Sequence, residues 1–156
     1  MTFAEIVARM LAMFSAEMVA TPTITLRAGN ELDDYRTPSA FVSAFDAVSD
    51  SYLEQFHWGV SHLDAVSWRH YLPYLIEYAS RHMQSGSIVV VTLLENLRPP
   101  DRVPPRLASL SVEQEAVVVD FLDVLAFSAE SAHQELACQV LEEWWAPGAI
   151  YREVAK

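Results

Sequence analysis

One cysteine, one lysine and four glycines are all that the 156 residues hold of three types on which much site chemistry depends. The lone Cys138 excludes an internal disulfide and a thiolate metal cluster, and it fits a reducing compartment. It lies in Leu136-Ala137-Cys138-Gln139-Val140, a helical pattern in which cysteine behaves as a small packed hydrophobe. No glycine is followed by the lysine and hydroxyl of a phosphate-cradling loop. Gly59-Val60-Ser61-His62-Leu63 lacks the second glycine of a serine-nucleophile elbow and the strand before it.

Positive charge is also scarce: 10 basic residues stand against 21 acidic ones, a net charge of −11. A field of that sign repels phosphate backbones, so nucleic-acid binding is not expected. It favours a cationic partner, unless it serves only solubility. No apolar run approaches the roughly 18 residues needed to cross a bilayer; the longest, Ile88 to Leu94, is interrupted by Thr92. Met1-Thr2-Phe3-Ala4-Glu5 has no positive n-region of a secretion signal. A cytoplasmic protein without membrane segment or cofactor is the expectation.

Hydrophobic residues make up 52% of the chain and charged ones 20%, enough apolar surface for one substantial core. One domain over residues 1–156 is expected. Phe3, Ile6, Val7, Met10, Leu11, Phe14 and Met18 recur at helical spacing and predict a helix over 2–19 that stops at Thr21-Pro22. Residues 23–36 are open between an extended Ile24-Thr25-Leu26 and a short helix capped by Thr25. Thr37-Pro38 has the form of a helix start, and Phe41, Phe45, Val48, Tyr52 and Phe56 then mark one helical face.

Ser61 with Asp64 predicts a cap for a short helix to about Tyr71, and Pro73 a kink or helix junction at Leu72. Ser87 to Leu97 combines strand-like Ile88-Val89-Val90-Val91 with three leucines; its length and the lack of a partner strand favour helix. Four prolines between Arg98 and Arg106 give a stiff extended segment, an ordered crossover or an exposed recognition strip, with crossover the expectation. Ser111-Val112-Glu113-Gln114 is a capping box for a nearly all-apolar helix to Phe127. A last helix over about 130–145 should turn Leu136, Ala137, Val140, Leu141 and Trp144 inward, and Pro147-Gly148 ends it. The sum is an all-α, compact bundle of five to seven helices in a single domain.

Candidate sites are few. Glu130-Ser131-Ala132-His133 has the spacing of a carboxylate-bridged metal site but occurs once, so no metal is expected. His62 and His70, eight residues apart, would lie about 12 Å apart on one helix, too far to share an ion. Asp46, Asp50 and Glu54 follow a four-residue step, either a solvated face or, with Glu142 and Glu143, a docking strip for a basic partner. The block from Trp58 to Tyr74 carries Trp58, His62, Trp68, Arg69, His70 and Tyr71: core packing, a protein-binding surface, or a polar-aromatic pocket.

Trp68-Arg69-His70-Tyr71-Leu72-Pro73-Tyr74-Leu75, preceded by Ile24-Thr25-Leu26 and Asp33-Asp34-Tyr35, resembles a family of small bacterial proteins, a domain of unknown function marked by an aromatic residue ahead of Tyr-Leu-Pro. The resemblance implies a bacterial cytoplasmic protein and supplies no catalytic residues. The leading functional reading is a non-enzymatic, protein-binding module, such as an immunity or inhibitor protein blocking a basic partner. The alternatives are a ligand binder or enzyme using the Trp58–Tyr74 block, with His62 or His70 as base and Arg69 as anion anchor, and a structural homo-oligomer joined through Trp144-Trp145.

Overall fold

Short polar side chains start most of the helices. In the computed structural model, which describes residues 2–152, Thr2 and Glu5 form a reciprocal capping box at the start of α1 (Phe3–Met13). Thr25 Oγ accepts the Ala28 N–H at 2.9 Å to begin α3 (Leu26–Asp33), which settles residues 23–36 in favour of the capped helix. Ser49 caps α5 (Asp50–Phe56), Asp64 caps α6 (Ala65–His82) and Ser87 caps α7 (Ile88–Glu95). Ser111 and Gln114 close the expected capping box of α8 (Val112–Phe127). Each cap satisfies N–H groups that the first helical turn leaves without partners.

The all-α expectation holds, and no strand occurs among the described residues. The helix number rises to nine there because two expected helices are broken. The first divides at Phe14 into α1 and α2 (Ser15–Val19), and Ile6, Met10 and Phe14 still share one buried face. The helix expected from Thr37-Pro38 through Phe56 is not there. Residues 37–42 are irregular, α4 (Ser43–Asp46) is a single turn, and Phe41 and Phe45 are exposed rather than buried. The reason is polar: buried Glu31 takes the N–H and hydroxyl of Ser39, and buried Asp46 takes four donors that a continuous helix would carry away from it.

α6 corrects the expected junction at Leu72. Pro73 lies inside one uninterrupted helix of 18 residues. An interior proline costs about 3 kcal/mol, but each fully buried large side chain contributes roughly 1.5–3 kcal/mol. Tyr71, Leu72, Leu75 and Ile76 flank Pro73 and are all buried, so burial wins. α6 packs on α1, α2 and α7, while α8 packs on α1 and α9 (Gln134–Val140). α9 begins four residues later than expected, because residues 128–133 fold as turns. There the Ala132 N–H donates to Met83 O and the His133 ring bonds Ser85 O at 2.8 Å.

α9 passes into a π-turn at Leu141–Trp145, closed by the Ala146 N–H on Leu141 O. The wider turn rotates the chain, so Trp145 enters the core, its indole N–H donating to Leu97 O at 2.8 Å, while Trp144 packs partly buried against the core's edge. One connected set of apolar residues from α1, α3 and α5–α9 forms the core. No helix among the described residues is long and apolar enough to cross a membrane.

A close backbone approach joins α3 to a 3₁₀ segment over His57–His62, which follows α5. A methyl group on Gly59 would lie 2.2 Å from Leu26 O, and one on Gly29 would lie 2.4 Å from Gly59 O. Both are far inside van der Waals contact. Gly59→Ala should therefore lower unfolding free energy by about 2 kcal/mol or more, near the upper range for overpacking. Gly86→Ala, which meets nothing within 4 Å, should stay within about 0.5 kcal/mol of wild type. Urea unfolding of the two variants tests the crossing; equal midpoints would refute it.

Candidate functional site: the proline loop and its groove

The segment from Arg98 to Leu110 leaves the end of α7 and is held by three polar anchors. Asp101 is the first. Its carboxylate accepts backbone N–H groups of Arg102, Arg106 and Leu107 at 2.9 Å and of Ala108 at 2.8 Å. Burial alone would raise its pKa, but these bonds favour the anion and the net shift is downward.

Arg106 is the second anchor and is buried. It donates to Val60 O at 3.2 Å and Leu63 O at 3.4 Å, and to Asn96 O and Oδ1 at 3.5 and 2.9 Å, with its guanidinium 5.4 Å from the Trp68 ring centre. Burial, with a smaller push from the Arg102 cation, lowers its pKa to about 9, so it remains charged at neutral pH. The third is Arg98, whose fork meets Glu143 at 2.8 and 3.0 Å and also reaches Glu95. It ties the loop to the π-turn.

Beyond that turn, the N–H groups of Ile150 and Tyr151 donate to Glu142 O and Glu143 O, folding the chain back beside the loop. Arg152 pairs with Glu115 and stacks over the Trp144 ring. Between loop and fold-back lies a groove of about 1010 Å³, walled by Pro100, Val103, Pro105, Trp144, Tyr151 and Arg152. Val103, 97% exposed, stands at its edge. The proline segment is thus both a crossover and a surface strip.

The acidic residues expected to form a strip are dispersed. Asp46 is buried, accepts both Arg27 Nε and Nη2, and also takes the Tyr52 hydroxyl and the Val42 N–H. Asp50 pairs with Arg81, Glu54 accepts the Tyr78 hydroxyl, and Glu143 is held by Arg98. Glu142 alone of the five is exposed with no hydrogen bond or ion pair on its carboxylate among the described residues. The expected four-residue stripe fails because α4 and α5 are separate helices.

Nor does the Trp58–Tyr74 block converge on a cleft. Trp68 and Tyr71 are core residues, while Trp58 is exposed against His57. His62 meets Asp33 at 3.0 Å, and His70 meets Glu17 O at 2.8 Å. Arg69 is half-buried and has no ion pair among the described residues. Val66 and His70 border a hollow of about 200 Å³ against α2, which none of the other named residues lines. No cluster of three metal-ligating side chains occurs among the described residues.

Sequence reasoning missed Asp101, Arg106, Tyr151 and Arg152. The visible signal was charge inside a proline run, Pro100-Asp101-Arg102 and Pro105-Arg106, where a solvent-facing loop has no need to bury an arginine. Its acceptors, however, lie on backbone segments as many as 46 residues away.

A model of the family described as a family of unknown function (DUF6714) matches residues 2–149, and the chain belongs to that family. No curated protein and no solved structure matches the chain.

The polar anchors set the pH dependence of stability. Partners hold Asp50 down to about 2, and Glu31, Asp46, Asp101 and Glu143 also lie below their ordinary values. The unfolded chain then binds more protons, so their stabilisation is present above about pH 4 and is lost as pH falls through the folded values. Burial lowers His57 and His70 as well. They remain neutral when folded but protonate when unfolded, which begins the decline below about pH 6.5. Neutralising the −11 charge relieves repulsion, but exposed charges are screened within about 8 Å at physiological salt. The urea midpoint should be flat from pH 7 to 8, lower at 5 and much lower at 3; an equal midpoint at pH 3 and 7 would contradict these assignments.

Proposed function

We propose that the chain is a non-enzymatic, protein-binding module whose groove beside the proline loop receives an extended segment of its partner. The observation that carries this reading is the groove itself: about 1010 Å³ of open space between a proline strip and a Trp144–Tyr151 wall. Aromatic rings offer large contact area at low ordering cost, and prolines keep the strip extended without a partner. Asp101, Arg106 and the Arg98–Glu143 pair fix both sides beforehand, which reduces the entropy lost on binding.

The acidic surplus supports a cationic partner. Glu142 is exposed next to the groove residue Glu143 and adds to the −11 field that would steer a basic protein toward this face. An inhibitor of the immunity type, occupying a basic partner's own site, accords with that balance, and a bacterial, cytoplasmic setting belongs to the same proposal.

The test is capture of partners from the source cell by the tagged chain at low and raised salt, with Val103→Asp and Tyr151→Ala as groove variants and Ile88→Ser as a control at another exposed apolar position. A basic partner retained by wild type and Ile88→Ser, at least tenfold weaker with either groove variant and weakened by salt, is the expected result. Equal retention by the groove variants would overturn the assignment of the surface. Absence of any partner at either salt would overturn the binding-module reading.

A further inference from the structure

The proline loop borders a second space, which shares Pro99, Pro100, Asp101 and Arg102 with the groove. This smaller cavity of about 210 Å³ lies between the loop and the end of α7, bordered by Arg98, Arg102 and Arg106 together with Glu95, Asn96 and Asp101. Three of the nine arginines of an acidic chain thus meet at one small space.

The donors and acceptors around it are unequally used. The Asp101 carboxylate is filled by four backbone N–H groups, and Glu95 and Glu143 are held by Arg98. The Arg102 side chain, by contrast, has no acceptor and no ion pair among the described residues. Arg106 spends its terminal N–H groups on neutral oxygens of Val60, Leu63 and Asn96; it meets no carboxylate, and its Nε–H has no acceptor there. A buried cation with no carboxylate bonded to it is costly; the Arg102 cation adds to that cost and the Asp101 carboxylate offsets part of it. Guanidinium forks match the geometry of oxyanions and bind them through charge-assisted hydrogen bonds.

We propose that this cavity is a binding site for a small oxyanion of the phosphate or carboxylate class, held between Arg102 and Arg106 with Arg98 at its rim. Its volume is several times the roughly 30 Å³ share of one water, enough for such an ion with part of its water shell. The local guanidinium groups act at contact distance, whereas the chain's overall negative charge is screened over about 8 Å. Occupancy joins the loop to the α7 end and steadies one wall of the groove, but the proposal does not depend on what the groove binds.

The experiment is NMR observation of the arginine Nε–H signals during titration with inorganic phosphate, and separately with acetate, at constant ionic strength set by chloride. The Arg102 and Arg106 signals should shift saturably, with a dissociation constant of about 1 mM for the better ligand. Whichever ion saturates identifies the class. Arg102→Gln, at an exposed position, should weaken binding at least tenfold, and Arg102→Lys should recover part of it. Tyr151→Ala lines the groove and not the cavity, so it should leave the curve unchanged, which separates this site from the partner-binding proposal. No saturable shift with either ion, or the same curve in Arg102→Gln, would overturn the site.

Discussion

The contact on which the rest of the molecule depends is the one where side chains are absent. Gly29 on α3 and Gly59 in the 3₁₀ segment touch through their backbones, and neither leaves room for a methyl group. That crossing fixes the height of the 57–62 segment and with it the directions of the Val60 and Leu63 carbonyls. Those carbonyls receive Arg106, Arg106 seats the proline loop, and the loop lines both the groove and the small cavity. A surface loop in the second half of the chain is thus positioned by two glycines in its first half.

The same structure explains why a charge of −11 does not become a single acidic face. Many carboxylates point to internal or neighbouring donors: Glu31 to Ser39, Asp46 to Arg27 and Tyr52, Asp101 to backbone, Glu115 to Arg152, Asp120 to Arg9. Helix caps take Thr2, Ser49, Asp64, Ser87 and Ser111. Composition counts these groups alike, whereas a partner meets only those left over. Arginine shows the complementary pattern, since Arg27, Arg81, Arg98 and Arg152 join separate elements while Arg102 keeps its donors free.

What was readable from sequence follows from the distance over which each decision is made. The caps at Thr25 and Ser111 involve residues three apart and were legible. So was the helix over Ile88–Glu95, where burial of Val89, Val90, Leu93 and Leu94 overrides the strand preference of β-branched residues. The break at Asp46 was not, because its decisive partner Arg27 lies 19 residues upstream. Pro73 misled for a related reason: its local penalty is visible in sequence, while the burial that offsets it comes from other helices. The groove was hidden because its second wall, the fold-back of Ile150 and Tyr151, rests on carbonyls of a turn with no sequence signature.

That turn gives Trp144 and Trp145 different occupations. An α-helical continuation would close on the carbonyl four residues back; here the closing bond spans five, from Leu141 to Ala146, and one extra residue is accommodated in the wider loop. Adjacent, chemically identical rings consequently differ in role, one buried in the interior and one lying partly buried along the groove. Wound at the regular helical pitch with no residue removed, the same sequence would turn Trp144 inward and Trp145 outward, exchanging the indole that fills the core with the one that walls the groove.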